Sequence, residues 1–146
     1  MTPIAPHITA FLRERLTSEN TRAGYAYAFQ LLFAFASKRL GVAPSDLQIE
    51  HLDASLVLAF LENIQHERGN GGRTRNARLA AVRSFMHFTE YRVPAALDQI
   101  RRVLAIPMQR TDTRLVKHLS GAESRAMLDA PDPTTRLGIR DRAMIY

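Results

Sequence analysis

Residues 73–86 read RTRNARLAAVRSFM, and this stretch indicates both a helix and a charged surface. It contains four arginines and no acidic residue, and it follows the glycine-rich run at residues 69–72. At about 100° per residue, its apolar and polar side chains separate onto two stripes of a helix. The stripe predicted to face a core holds Leu79, Val82 and Met86, and the polar stripe holds Asn76, Ala80, Arg83 and His87. We therefore predict an amphipathic helix with a basic outer surface.

The start of this helix is a candidate anion site. Thr74 follows the glycine run and is predicted to cap the helix, whose free N–H groups and positive dipole end attract anions. Arg73, Arg75 and Arg78 add three positive charges near that end. Two interpretations stay open at this point: a grip on nucleic-acid phosphates, and an arginine-rich helix start that is merely solvated.

The composition favours a polyanionic partner. The 146 residues include 20 Lys and Arg against 14 Asp and Glu, which gives a formal net charge of +6, and such a balance is typical of nucleic-acid-binding proteins. The chain has no cysteine, which excludes disulfides and cysteine-ligated zinc and fits a reducing cytoplasm. Because we find no apolar run long enough for a bilayer and no signal peptide, we expect a cytoplasmic protein without a membrane partner.

Helical periodicity recurs through most of the chain, and strand signals are nearly absent. This pattern predicts an all-α protein whose first part is a bundle of four to five helices. Ser18, Asp53 and Pro94 are placed to begin helices, and Gly41 to end one. The predicted helices cover residues 6–16, 18–41, 53–68, 73–91 and a shorter segment from 94 to about 104.

The periodicity stops after residue 105. Residues 106–118 are polar and basic, and we predict that they form an extended linker. Ser120 and Glu123 then have the spacing of a capping box, which predicts a helix to about Ala130. A last helical segment follows the proline-containing turn at residues 131–134 and runs to the end of the sequence.

Four segments in this order resemble the N-terminal part of the tyrosine recombinases, the phage integrase family. Ser18 to Tyr25 (SENTRAGY) is similar to the family's helix opening, and Thr74 to Phe85 (TRNARLAAVRSF) resembles its later basic helix. Leu119 to Glu123 (LSGAE) looks like the phrase that opens the catalytic domain, and Gly138 to Met144 (GIRDRAM) looks like a helix just inside it. The resemblance implies a SAM-like core-binding domain at residues 1–105, a linker at 106–118 and a truncated start of the catalytic domain at 119–146.

The family resemblance also implies a function. Such enzymes cut and rejoin DNA through a phosphotyrosine intermediate that arginine, lysine and histidine donors stabilise. The first catalytic arginine of the family lies beyond the last residue of this sequence, so no catalytic residue is carried over, and we expect the fragment to be inert. Its partner would be double-stranded DNA, together with other recombinase protomers for the full-length parent. A non-enzymatic helical DNA-binding regulator and a helical protein-interaction scaffold are the alternatives.

The candidate DNA-binding residues fall into three groups. In the second helix they are phosphate contacts or helix caps, and in the linker they either follow the DNA backbone or belong to a solvated tether. In the arginine helix they divide into phosphate contacts and side chains that reach base edges. The groups are Asn20, Thr21 and Arg22; Arg73, Thr74, Arg75 and Arg78 for phosphates with Asn76, Arg83 and His87 for bases; and Arg110, Arg114 and Lys117. The histidines show no metal-binding pattern, and we expect no metal or cofactor.

The last 28 residues carry an excess of apolar side chains for two short helices. We expect that a native catalytic core does not cover all of them and that the segment is mobile, docks elsewhere or self-associates. These side chains are Leu119, Met127, Leu128, Leu137, Ile139, Met144 and Ile145.

Overall fold

The structure is a computed structural model that describes residues 1–111 and 119–145. The chain divides into two compact units, Met1–Thr111 and Asp112–Tyr146. Among the described residues the regular structure is helical apart from one isolated bridge between Pro3 and Gln48, which confirms the predicted all-α class. Arg114 and Lys117 of the predicted linker lie outside the described residues.

The first unit contains five α-helices, and the second contains two within its described part. They are α1 (Ile4–Glu14), α2 (Glu19–Leu40), α3 (Ala54–His66), α4 (Gly72–Thr89) and α5 (Leu97–Leu104), then α6 (Gly121–Asp129) and α7 (Arg136–Ile145). Short 3-10 turns at Pro44–Asp46, Ile49–His51 and Pro94–Ala96 connect them in the first unit. The helix at the start of the chain begins at Ile4 rather than at residue 6, because a proline is tolerated within a first helical turn.

Helix α4 lies at the centre of the first unit and packs against α1, α2, α3 and α5. Its predicted apolar stripe is confirmed, since Leu79, Val82 and Met86 are at most 1% exposed. Burial of each such side chain contributes about 1.5–3 kcal/mol. The apolar residues Ala81, Phe85 and Phe88 are also buried, so about half of the helix circumference lies in the core.

An aromatic cluster joins α4 to α1 and α2. Phe11 of α1 contacts Phe85 and Phe88 of α4 edge to face, with ring centroids 5.6 and 5.5 Å apart. Phe29 of α2 contacts Phe85 at 5.5 Å and Phe11 at 6.1 Å in the same manner. Tyr25 of α2 is half-buried and stacks on Phe11. Edge-to-face pairs of this kind add about 0.5–1.5 kcal/mol each beyond their buried area.

Several predicted helix ends are confirmed, and one is wrong. Asp53 accepts a hydrogen bond from the N–H of Leu56 at 2.7 Å, and Gly41 ends α2 in the left-handed conformation at φ 68°. Thr74, however, does not cap α4. The helix already begins at Gly72, after Gly71 in extended conformation, so Thr74 is its third residue. A Cβ at position 72 would lie 3.1 Å from Oε1 of Gln109, so a glycine here lets a distant segment approach the first turn closely.

That segment, residues 106–111, belongs to the first unit, although the sequence predicts it as part of a free linker. Ile106 is only 4% exposed. Asn76 of α4 donates from Nδ2 to the carbonyl of Gln109 at 2.7 Å, and its Oδ1 accepts from the N–H of Gln109 at 2.9 Å. The side-chain amides of Gln109 and Gln65 also exchange two hydrogen bonds, at 2.9 and 3.0 Å. We call these contacts of Asn76, Gln65 and Gln109 the amide latch.

The second unit consists of α6, α7 and the turn between them. The predicted capping box is confirmed: Ser120 Oγ accepts from the N–H of Glu123, and the Glu123 carboxylate accepts from the N–H of Ser120. These bonds from Ser120 hold the pKa of Glu123 below its ordinary value. In the turn, the Asp132 carboxylate accepts two hydrogen bonds from Thr134, which lower the pKa of Asp132 in the same way.

Most of the apolar side chains of the second unit are exposed. The exposed residues are Leu119, Met127, Leu137, Ile139 and Met144, with exposed fractions from 55% to 77%, while Leu128 is half-buried. A packed interior does not cover these side chains, as the sequence predicts; the side chain of Ile145 lies outside the described atoms.

The amide latch leads to a prediction for hydrogen exchange. Replacing Asn76 with alanine removes both bonds to the Gln109 backbone, so the amide of Gln109 should exchange markedly faster and the free energy of unfolding should fall by about 1–2 kcal/mol. Gln65→Ala is the matched control, because it removes only the contacts between side chains and leaves the Gln109 amide bonded. Unchanged exchange at Gln109 in the Asn76 variant would contradict the latch.

Candidate nucleic-acid interface

The outward face of α4 is the part of the helix that the other helices leave uncovered. At about 100° per residue it lies opposite the buried stripe. Its members are Arg73, Asn76, Ala77, Ala80, Arg83, Ser84 and His87, and we call this set the outward face. All seven are exposed or half-buried. Alanines at positions 77 and 80 keep the centre of this face low, so a flat or grooved partner can approach the backbone closely.

The electrostatics of the outward face favour an anion. Helix α4 contains no Asp or Glu. None of the ion pairs in the described part of the chain involves Arg73 or Arg83. His87 is 59% exposed, and its Nδ1 lies 3.6 Å from the carboxylate of Glu90 just beyond the helix. The two arginines therefore hold guanidinium groups that are not neutralised within the described residues.

Arg75 has a different environment from the other arginines of α4. Its side chain is 7% exposed, and Nη1 approaches the carbonyl of Pro107 at 3.4 Å and Oδ1 of Asn76 at 3.5 Å. The structure therefore places this predicted phosphate contact against residues 106–111. The sequence holds a signal for this position, because Arg75 has the i, i+4 spacing with Leu79 that puts both on the buried stripe.

Asn76 lies on the outward face, but its amide is already bonded. Both the donor and the acceptor of this amide serve the amide latch. A bidentate contact to adenine uses the same two groups, so in this conformation Asn76 fixes residues 106–111 to α4.

Thr74 and Arg78 lie on the flank of α4 that faces α2. The guanidinium carbon of Arg78 lies 4.9 Å from the centre of the Tyr27 ring, and its Nη1 is 3.5 Å from the carbonyl of Gly24. Thr74 and Arg78 line one cavity between α2, the end of α3 and the start of α4. Arg68 and Asn70 line it too. No pattern in the sequence marks either residue, because they lie at the end of one helix and in a turn.

The start of α2 exposes the three candidate residues of the second helix. Asn20 and Thr21 are exposed, and Ser18, at the capping position, makes no side-chain bond to the free N–H groups of the helix within the described residues. Arg22 is exposed as a whole but donates from Nη2 to the carbonyl of Leu16 at 2.8 Å, which ties it to the turn after α1. Asn20 and Thr21 are thus open to a partner, whereas Arg22 has an intramolecular contact.

The candidate linker residues are only partly described. Arg110 is exposed at the end of the segment that the amide latch holds. Arg114 and Lys117 lie outside the described residues. The structure thus brings Arg73, Arg83 and His87 together on one surface, places Thr74 and Arg78 on the side of α4 that faces α2, and directs Arg75 into the interior of the first unit. No helix in the described part of the chain is both long and apolar enough to cross a bilayer.

Comparison with known proteins relates this helical unit to one family. Residues 8–92 match the family model described as "Phage integrase, N-terminal SAM-like domain". The chain is 41% identical to the integrase/recombinase y4rD of Sinorhizobium fredii, over 97% of this chain and 52% of that protein. It is 30% identical to the tyrosine recombinase XerC of Pelobacter propionicus, over 99% of this chain and 47% of that protein.

The chain spans about half the length of the curated relatives it matches. No solved structure matches it. The matched model covers more than half of the chain, from the middle of α1 to just past the end of α4, and therefore includes the whole aromatic cluster and the outward face. On this evidence the chain belongs to the phage integrase family of tyrosine recombinases and contains its N-terminal SAM-like domain.

Proposed function

We propose that the first unit binds double-stranded DNA with the outward face of α4, as the core-binding domain of a site-specific tyrosine recombinase. The observation that carries this proposal is the charge of that face. Arg73 and Arg83 are not ion-paired within the described residues, and α4 itself has no carboxylate. A helix with small and basic side chains on one face fits the major groove, which is about 12 Å wide.

Different residues of the interface serve different roles. Arg73, at the exposed start of α4, contacts a phosphate, and Arg83 and His87 reach base edges further along the helix. Asn20 and Thr21 at the start of α2 add positioning contacts, because short polar side chains near a helix N-terminus suit a phosphate. Arg110 continues the basic surface at the end of the first unit, and Arg114 and Lys117 extend it along the backbone of the duplex.

The remaining activities of a recombinase belong to the longer protein. The relatives named integrase/recombinase and tyrosine recombinase are about twice as long as this chain. We infer that strand cleavage through a tyrosine and assembly with other protomers on DNA belong to that whole protein. Residues 1–146 contribute DNA binding to it. Because bacterial DNA lies in the cytoplasm, we infer that such a protein acts there.

The salt dependence of DNA binding tests the outward face. Arg73→Ala removes one phosphate contact, so the slope of log K against log salt should become shallower by about 0.9, and binding should weaken for all duplex sequences alike. Fluorescence anisotropy with a labelled duplex at several salt concentrations measures both quantities.

Arg101→Ala on α5 provides the matched control. Arg101 is exposed, carries the same charge and takes part in no ion pair within the described residues, and the proposal gives it no contact with DNA. Its loss should leave the slope unchanged. Equal effects of both substitutions, or an effect of Arg101→Ala alone, would reject α4 as the interface.

A further inference from the structure

A small cavity of about 260 Å³ lies between α2, the end of α3 and the start of α4. Leu31 and Ile64 provide its apolar lining. Its polar lining consists of Tyr27, Arg68, Asn70, Thr74 and Arg78. Two guanidinium groups, a hydroxyl, a carboxamide and a phenol therefore surround one space, and none of the residues that line it is acidic.

One buried polar atom of this cavity has no partner. Nε of Arg78 is shielded from solvent and makes no hydrogen bond within the described part of the chain. A buried donor without a partner costs about 1–3 kcal/mol, more when the group is charged. An oxyanion that accepts from this N–H would recover that cost, and it would add the attraction of the second guanidinium, that of Arg68.

Arg78 is held in place before any ligand arrives. Its guanidinium carbon lies 4.9 Å from the centre of the Tyr27 ring, an arrangement that restrains the side chain through a cation–π contact. Its Nη1 points to the carbonyl of Gly24 at 3.5 Å, the upper limit for a hydrogen bond. An arginine that is already ordered loses less conformational entropy when it pairs with an anion.

Local chain geometry brings the remaining polar groups to the same cavity. Thr74 and Arg78 are four residues apart on α4, so their side chains lie on one side of the helix. Gly69, at φ 62°, reverses the chain after α3, and the N–H of Asn70 then bonds to the carbonyl of Ile64 at 3.3 Å. This turn places Arg68 and Asn70 beside the first turns of α4.

We propose that this cavity binds one phosphate group of the DNA backbone and so extends the interface from the start of α2, one helical turn before Gly24, to the groove between α2 and α4. Arginine is suited to this task because its planar fork pairs with phosphate oxygens through two parallel N–H groups. Thr74 adds a hydroxyl donor and Asn70 an amide donor. The proposal rests on the proposed function, since it takes DNA as the source of the phosphate.

The neighbouring groove is a weaker candidate for the same ligand. It is larger, about 590 Å³, and is also lined by Lys38 and Arg39, but Glu67 contributes a carboxylate to it. This carboxylate bonds to the amide of Asn63 and would repel an anion. The smaller cavity thus combines two positive charges with the absence of a negative one among its lining residues.

The first experiment compares two arginines of equal charge. Arg68→Gln removes a cation from the cavity, whereas Arg39→Gln removes an exposed cation of α2 that does not line it. The salt slope of duplex binding should become shallower by about 0.9 for Arg68→Gln and stay at the wild-type value for Arg39→Gln. Equal slopes for the two variants, or an unchanged slope for Arg68→Gln, would overturn the proposal. Because both side chains are exposed, both variants should keep the wild-type melting temperature.

The second experiment uses inorganic phosphate and needs no DNA. In NMR spectra of the full chain, the Nε–H signal of Arg78 should shift as phosphate is added, and this shift should be absent in Arg68→Gln. Duplex binding by the wild type without a phosphate shift at Arg78 would reject the cavity and leave the proposed function standing. A phosphate shift without any duplex binding would reject DNA as the source, and with it both the proposed function and this inference.

Discussion

The burial of α4 among α1, α2, α3 and α5 is the constraint on which the rest of the first unit depends. Phe85 and Phe88 of α4 pack against Phe11 and Phe29, and the aliphatic stripe of Leu79, Val82 and Met86 fills the remaining core. A helix that is held on several sides has little freedom to rotate about its axis. The same packing that stabilises the fold therefore determines which side chains of α4 remain outside, and these include Arg73 and Arg83.

A second constraint acts at the start of α4. Asn76 binds the backbone of Gln109 in both directions, and Arg75 reaches the carbonyl of Pro107. The chain that leaves the helical unit is thus fixed against the first turn of α4, next to the exposed Arg73. DNA that contacts Arg73 would therefore touch the turn of α4 against which residues 106–111 are packed. The amide latch in this way connects the proposed DNA interface to the position of residues 106–111.

Local patterns in the sequence predicted most of the helical architecture. The spacing of apolar residues located α1 to α5, and the caps at Asp53 and Ser120 were correct because a cap depends on atoms only two or three residues away. The prediction that Thr74 caps α4 was wrong, because a contact distant in the sequence affects where this helix begins. The glycine at position 72 has low intrinsic helix propensity, but a contact with Gln109, 37 residues away, favours a glycine inside the helix at that position.

Tertiary contacts also explain what the sequence left undetermined at the interface. Residues 106–111 show no helical periodicity. The sequence therefore could not predict that Gln109 bonds to the side-chain amides of Asn76 and Gln65. The cavity with Arg68 and Asn70 is assembled by a turn and three helices, and no sequence motif spans it. By contrast, the basic outer stripe of α4 could be predicted, because it depends only on helical spacing and on charge.

The central claim is that the outward face of α4 is the DNA-binding surface, and NMR titration of the full chain with a duplex tests it most directly. The account predicts that the backbone amide signals of Arg73, Ala77, Ala80 and Ser84 shift progressively as DNA is added, while those of Asp98 and Arg101 on α5 stay in place. Shifts concentrated on α5, or an α4 unaffected at saturating DNA, would contradict it.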